Sequence, residues 1–576
     1  MRDARQITGW TLLATLCASP VWAGAADSFT PAYEVSVPAE RFRQDASRST
    51  ELTLPERPEI ERPEETVSAA DPIQEGPEFY VREIRLEGLS ALPQSVILPQ
   101  IAMYEHRRLL FSDLKELADK LTALYRSSGY VTTKVYIPPQ KIEDGLVILQ
   151  ALEGKVGKVI VEGNQFFGDH IYTRDARTPE GSVINFPELE MRLYEMNQRP
   201  DRKARAYLQP GQESGTTDIV LKTEDRRPWH VKYGFHNRGT KLTHRSRHEI
   251  IAEHNNLFGR GDSVGGTVTL AEDNAFRGTA LSYQRPFSRW DGSLLVSGGV
   301  ADSQLQGHLR GSDIDGESWF LSPGVQWNLW RRAGRKLDLY AGLDAKSSKT
   351  LVAGFKSAYD QTRAFRVGPR WTMLDPRGKT IVNADVHWGF PNFFGSIDSG
   401  NVATSTRSVA GGDFTYYTIQ MARVHRMPWD AFLIGRLGGQ WSHSSLVLAE
   451  QYRIGGAYSV RGYPESDALG DHGYNFSLEY NFPSFFVPKD WQVPFARKKT
   501  WRETLRMAAF IDGGQTLYKE TINNEDDEFL LGVGVGLRFN IDDNLSLIWD
   551  VAIPVGDDSS DDEDALQTHI AFRAGW

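Results

Sequence analysis

The chain has 576 residues, a formal net charge of -10 and one cysteine, Cys17, inside a segment that reads as a leader. Beyond that leader no thiol is left for disulfides, thiolate metal sites or cysteine nucleophiles, and an acidic chain without a basic segment is a poor nucleic-acid binder. After the leader no run of eighteen apolar residues occurs, so no membrane helix is expected; alternating barrel strands leave little trace in averaged hydropathy.

Residues 1–25 have the pattern of a signal peptide, with Arg2 and Arg5 ahead of an apolar stretch from Trp10 to Ala18 and Val21-Trp22-Ala23 or Ala23-Gly24-Ala25 for cleavage. Residues 26–77 are rich in Pro and Glu and bury too little to fold alone. Within them Ala39 to Ala46 suits a short helix, and the stretch is open to two readings, a functional helix with its linker or a plain spacer. From 78 to 154 the order is strand, helix, helix, strand, strand. Tyr80 to Leu86 alternates. Leu114, Leu117, Ala118, Leu121, Leu124 and Tyr125 recur at helical spacing behind a Ser112 cap, and Gly129 closes that helix. Val131 to Ile137 and Leu146 to Leu152 follow as strands. Residues 155–225 predict a second unit: a strand at Val159–Val161, a helix opened by Pro187 and carrying Leu189, Leu193 and Met196, then strands at Ala204–Leu208 and Asp218–Lys222.

Residues 229–576 contain about sixteen alternating segments of the length a tilted membrane strand needs. In one, Tyr474, Phe476, Leu478, Tyr480 and Phe482 oppose Asn475, Ser477, Glu479 and Asn481. In another, Phe529, Leu531, Val533, Val535, Leu537 and Phe539 oppose Gly532, Gly534, Gly536 and Arg538. A soluble sandwich fills its second face with a core, whereas glycines and charges on that face suit the wet lumen of a barrel. Leu505, Met507, Ala509 and Ile511 point one way along their strand, which turns Arg506, Phe510, Asp512 and Gly514 into the lumen. With both barrel ends on one side of the membrane, the segment from about Ala431 to Trp441 is the eleventh strand. The loop from about Ser442 to Asp471 is then the sixth on the far side. It carries Gly455-Gly456-Ala457-Tyr458-Ser459-Val460-Arg461-Gly462-Tyr463-Pro464. Folded inward, Arg461 meets Asp512 with the two-pronged geometry that lysine lacks. The expectation is a pore with a latch.

Val460, Arg461, Gly462 and Tyr463, followed by Phe510, Asp512 and Gly514, resemble the Val-Arg-Gly-Tyr and Phe-x-Asp-x-Gly motifs of two-partner-secretion transporters, outer-membrane barrels that export large haemolysins and adhesins. Two stretches look like that family's paired polypeptide-transport-associated (POTRA) domains. One runs from Tyr125 through Gly129-Tyr130-Val131-Thr132-Thr133 to Leu152-Glu153-Gly154, the other from Met196-Asn197 through Pro200-Asp201-Arg202-Lys203 to Asp218. The resemblance implies a 16-stranded antiparallel barrel in a Gram-negative outer membrane behind two periplasmic α/β domains, a monomer in lipid and lipopolysaccharide. It implies an unfolded secreted exoprotein as client, no cofactor, no nucleic acid and no enzymatic activity. The stretch at 26–77 becomes the N-terminal helix and linker that can occupy the pore. Arg461 and Asp512 become the latch, with Tyr463 and Phe510 packed around it. A barrel-assembly or autotransporter-assembly factor of the same superfamily is the alternative, and a passive porin or receptor a third reading that needs neither the paired domains nor the Arg461 loop.

The remaining candidates read as structure. Arg260-Gly261-Asp262 suits a turn. His244, His248 and His254 lack a His-Glu-x-x-His arrangement. The acidic run of Asp557, Asp558, Asp561, Asp562, Glu563 and Asp564 lacks the spacing of a calcium loop. The sequence has no phosphate loop and no nucleophile elbow.

Overall fold

Sixteen antiparallel strands close on one another between Trp229–His236 and Gln567–Gly575, with Tyr233 opposite Ala574 and Phe235 opposite Phe572 at the seam. The computed structural model describes residues 60–61 and 78–575, except 214, 288–290, 307–310, 312, 333, 399–404, 489, 495–498, 523–524, 542–544 and 557–565. The leader, the helix expected at Ala39–Ala46, the acidic run after Gly556 and Trp576 therefore lie outside the described residues. The chain divides into two units, with Pro55–Arg227 as one and the barrel in the other.

The strand period of two decides the two barrel faces. Leu281, Val300, Leu343, Leu478 and Val535 point outward and are each about half exposed or more, while Glu479, Asp512, Arg538 and Asp550 point inward and are buried. An outer apolar belt and inner polar surface are what a lipid-embedded barrel requires. The eleventh strand is Phe432–Ser442, the twelfth His472–Pro483, the thirteenth Leu505–Leu517, the fourteenth Glu528–Ile541 and the fifteenth Leu545–Pro554. Arg461 thus sits in the loop after the eleventh strand. Links at the rim where the chain enters are not uniformly short: residues 484–504 carry a helical turn, Trp501–Thr504, and a bridge between Gln492 and Thr500.

In the other unit, the first module pairs Glu83–Glu87 parallel to Leu146–Leu152, which runs antiparallel to Lys134–Tyr136. Helices Gln94–Ala102 and Phe111–Ser127 cover this sheet, and Leu114, Leu117, Ala118, Leu121 and Tyr125 enter the core with Val147 and Leu149. The second of these helices begins at Phe111 with Leu110 as its N-cap, two residues before the expected Ser112 cap. The residue before it is Leu110, whose N–H donates to Asp113 Oδ2 at 2.8 Å, so the acid three positions on supplies the cap. The strand expected from Val131 shrinks to Lys134–Tyr136, because Gly129 to Thr133 are used to join the modules. Phe186 N–H donates to Gly129 O at 3.0 Å, Val131 packs on the second core, and a Cβ on Gly129 (φ +96°) would sit 2.7 Å from Pro187 Cδ.

The second module has strands Lys155–Glu162, Arg202–Pro210 and Thr216–Asp225 and two helices, Asp169–Ala176 and Phe186–Gln198. The first helix is missing from the sequence reading: it is eight residues long, too short for a periodicity to stand out. Asn185 caps the second, accepting from Glu188 N–H at 3.1 Å, with Pro187 in its first turn. Ile60–Glu61, within the stretch read as linker, adds a parallel strand beside Ala206–Tyr207 on the sheet edge.

Candidate functional site

The sixth far-side loop, residues 443–471, is turned onto the inner wall of the barrel. Its arms pair as a short hairpin, Tyr452–Ile454 against Ala468–Gly470. Ile454, Val460, Tyr463 and Ala468 bury together with Leu530 of the fourteenth strand. Gly462 has φ +107°, and a Cβ there would lie 2.9 Å from the carbonyl carbon and oxygen of Ile553 on the fifteenth strand. Both the left-handed backbone and the close approach call for glycine.

Arg461 is fully buried. Its Nε donates to Asp512 Oδ2 at 2.5 Å and Nη2 to Asp512 Oδ1 at 2.8 Å, the paired geometry that a planar guanidinium offers a carboxylate. Nη1 reaches Glu479 Oε2 at 2.6 Å and Asp550 Oδ2 at 3.5 Å, and the backbone N–H of Arg461 donates to Asp512 Oδ2 at 3.2 Å. Arg538 closes the cluster, contacting Asp550 at 2.6 Å and Glu479 at 3.1 Å. Phe510 lies beneath the Arg461 guanidinium, 3.2 Å from ring centroid to Cζ. Four wall strands thus supply three carboxylates and a second arginine around one loop residue. Desolvation offsets much of the attraction in such a group, but deleting one member strands its partners, typically at about 3–5 kcal/mol. The arrangement pairs opposite charges and holds a chain segment.

Glycines make the seat. A Cβ on Gly532 would stand 1.8 Å from Arg461 O, and one on Gly534 2.5 Å from the Phe510 ring. These inward glycines of the fourteenth strand are therefore filled space and not open water, as their pattern alone suggests. Gly514 allows the neighbouring strand to pass, since its Cβ would lie 2.6 Å from Tyr474 O. Tyr463, expected to pack around the pair, is fully buried, and its hydroxyl donates to Leu531 O at 3.3 Å and accepts from Gly556 N–H at 3.1 Å, a further tie between loop and wall. Glu479, Asp550 and Arg538 were absent from the sequence-derived site. Their only signal there is an inward charge on a strand near the Phe-x-Asp-x-Gly strand.

The other candidates stay apart. His248 meets Tyr233 OH at 2.7 Å, His254 accepts from Asn256 N–H at 3.2 Å, and His244 lies 3.8 Å from Asp273. Asp262 is buried in its own turn, accepting from Phe258 and Arg260 N–H.

Comparison with known proteins bears on this architecture. Residues 215–539 match the haemolysin secretion/activation protein family ShlB/FhaC/HecB, and residues 79–154 match the ShlB-type POTRA domain. The chain is 23% identical over 540 residues to the outer membrane transporter CdiB of Dickeya dadantii, covering 90% of this chain and 92% of that one. It is 22% identical over 407 residues to the hemolysin transporter protein ShlB of Serratia marcescens, covering 68% and 67%. Among solved structures, CdiB from Escherichia coli superposes with a TM-score of 0.74 at 20% identity, over 93% of this chain and 96% of that one, a likeness of fold. The chain belongs to the ShlB/FhaC/HecB family of haemolysin secretion/activation proteins, the outer-membrane transporters of two-partner secretion.

Proposed function

We propose that this transporter takes one or a few large exoproteins in unfolded form, receives them on its POTRA modules and passes them through the barrel while the Arg461–Asp512 pair positions the sixth loop in the lumen. The observation that carries this reading is the burial of Arg461, a loop residue, among Asp512, Glu479 and Asp550 of the inner wall. Such a cluster suits an element that must be held in one place while a client moves past it. Sheet edges such as Glu83–Glu87 in the first module suit strand addition, which binds extended chains through the main chain with loose sequence demands. Ile60–Glu61 takes part of the Arg202–Pro210 edge in the second. The sequence has no phosphate loop, so folding of the client outside the cell supplies the direction of transport. The closed barrel leaves no free strand edge to pair with a second copy, which supports a monomer embedded in lipid and lipopolysaccharide.

Arg461→Ala is expected to insert as a heat-resistant barrel and to lose most export, measured as exoprotein in the medium against barrel in the membrane. Arg461→Lys is expected to rescue poorly, because one ammonium cannot span Asp512 and Glu479. Normal export by an assembled Arg461→Ala barrel refutes the latch.

A further inference from the structure

The loop is gripped a second time, on a different sector of the wall, by a residue outside both motifs. Glu450 ends a short helical turn, Leu448–Glu450, in the arm leading to the hairpin, and its side chain is almost fully buried. Oε2 receives Lys346 Nζ at 2.8 Å and Tyr416 OH at 2.7 Å, and Oε1 receives Thr362 Oγ1 at 2.8 Å. Those partners belong to three barrel strands, the seventh (Arg335–Val352), the eighth (Phe355–Asp375) and the tenth (Thr415–Arg426). Gln440 of the eleventh strand donates to the Glu450 backbone oxygen at 2.9 Å. Nearby Leu446, also in the loop, is buried against Ala364, Phe414 and Tyr416. His387 stacks on the Tyr416 ring, centroids 4.3 Å apart, holding that hydroxyl in position.

A carboxylate with three side-chain donors, one of them cationic, is a charge-assisted site whose deletion leaves Lys346 and two hydroxyls without their acceptor. The tip of the same loop is fastened through Arg461 to the twelfth, thirteenth and fifteenth strands. The Glu450 and Arg461 contacts thus fall on different sets of wall strands.

We propose that Glu450 is a second positioning residue of the transporter, fixing the root of the sixth loop to the seventh, eighth and tenth strands independently of the Arg461 cluster. Breaking the tip's ion pair then swings the loop about a fixed root and does not set it free. The consequence for export rests on the reading of the loop as a transport element; the anchor itself does not.

The experiment uses full-length protein reconstituted in liposomes with Ser445→Cys, a buried position five residues before Glu450 at the loop root, the only thiol after Cys17. The rate of modification by a maleimide is read alongside heat-resistant electrophoretic mobility, which reports barrel assembly. Glu450→Ala is expected to raise the modification rate roughly tenfold, in line with loss of a charge-assisted hydrogen bond, with Arg461 and Asp512 intact; Glu450→Gln falls between. The exchange Lys346→Glu with Glu450→Lys is expected to bring the rate back towards that of the parent, which loss of mere packing would not allow. An unchanged rate in assembled Glu450→Ala barrels overturns the proposal. Should Glu450→Ala not assemble, Lys346→Met and Thr362→Val carry the same test, and unchanged rates in both overturn it. Faster modification with undiminished export upholds the anchor and overturns the role given to the loop in transport.

Discussion

The Arg461 environment shows how little room a single residue has in this lumen. Gly532 faces Arg461 O so closely that a methyl group cannot enter without moving the loop. Gly532→Ala is therefore expected to weaken loop docking by about 1–3 kcal/mol, the usual range for overpacking. Export should fall while heat-resistant mobility persists, and wild-type export would show that the seat is looser than its geometry. Arg461 and Asp512 were legible beforehand because a period of two turns Asp512 inward and strand parity places Arg461 in the opposite rim's loop. Glu479 and Asp550 were not. They meet Arg461 only because of strand register, with Ser477 beside Asp512, Glu479 beside Phe510 and Gly536 beside Asp550, and register is a pairing of segments that no single segment encodes.

At the scale of elements, the POTRA motifs turn out to be fasteners. Asn197 exchanges hydrogen bonds with Ala204, through Oδ1 at 2.6 Å and Nδ2 at 3.0 Å, fixing the entry to Arg202–Pro210. Glu153, in the Leu152-Glu153-Gly154 stretch, accepts from Ser90 and Ala91 N–H at 2.9 and 2.8 Å, from the Ser90 hydroxyl, and from Tyr125 OH at 3.1 Å. Burial pushes the Glu153 carboxyl up, but the hydrogen bonds from Ser90, Ala91 and Tyr125 outweigh it and hold the group below the usual carboxylate range. A carboxyl depressed on folding contributes stability above its unfolded value of about 4.3, and that contribution disappears as the pH falls through its folded value. Glu153→Gln is expected to cost about 1–3 kcal/mol at neutral pH. Amide exchange at Ser90 and Ala91 in the full chain should then be faster and less dependent on acidification below about pH 4 than in the parent. Equal exchange in the two proteins would count against the fastener. The Tyr125 partnership could not be read from helical spacing, which accounts for that ring as ordinary core.

For the whole molecule, membrane and lumen are distinguished by one alternation. Val535 faces outward and Ser297 inward, opposite Ser282 on its neighbour. Val535→Arg is expected to cost about 2–4 kcal/mol near the membrane midplane, reducing assembled barrel, whereas Ser297→Arg should assemble normally; equal assembly of the two would contradict the assignment of faces. That alternation, the parity of sixteen strands and two short motifs are local properties of the chain, so the sequence alone was sufficient for the barrel, its paired α/β modules and the loop that carries Arg461. Tertiary structure decided which charges surround that arginine, that the Tyr463 hydroxyl bonds to Leu531 and Gly556, that inward glycines are a seat for the loop, and that Glu450 grips a second sector. Each of these depends on the stagger between strands distant in sequence, and stagger is set only when hydrogen-bond ladders close around the whole cylinder.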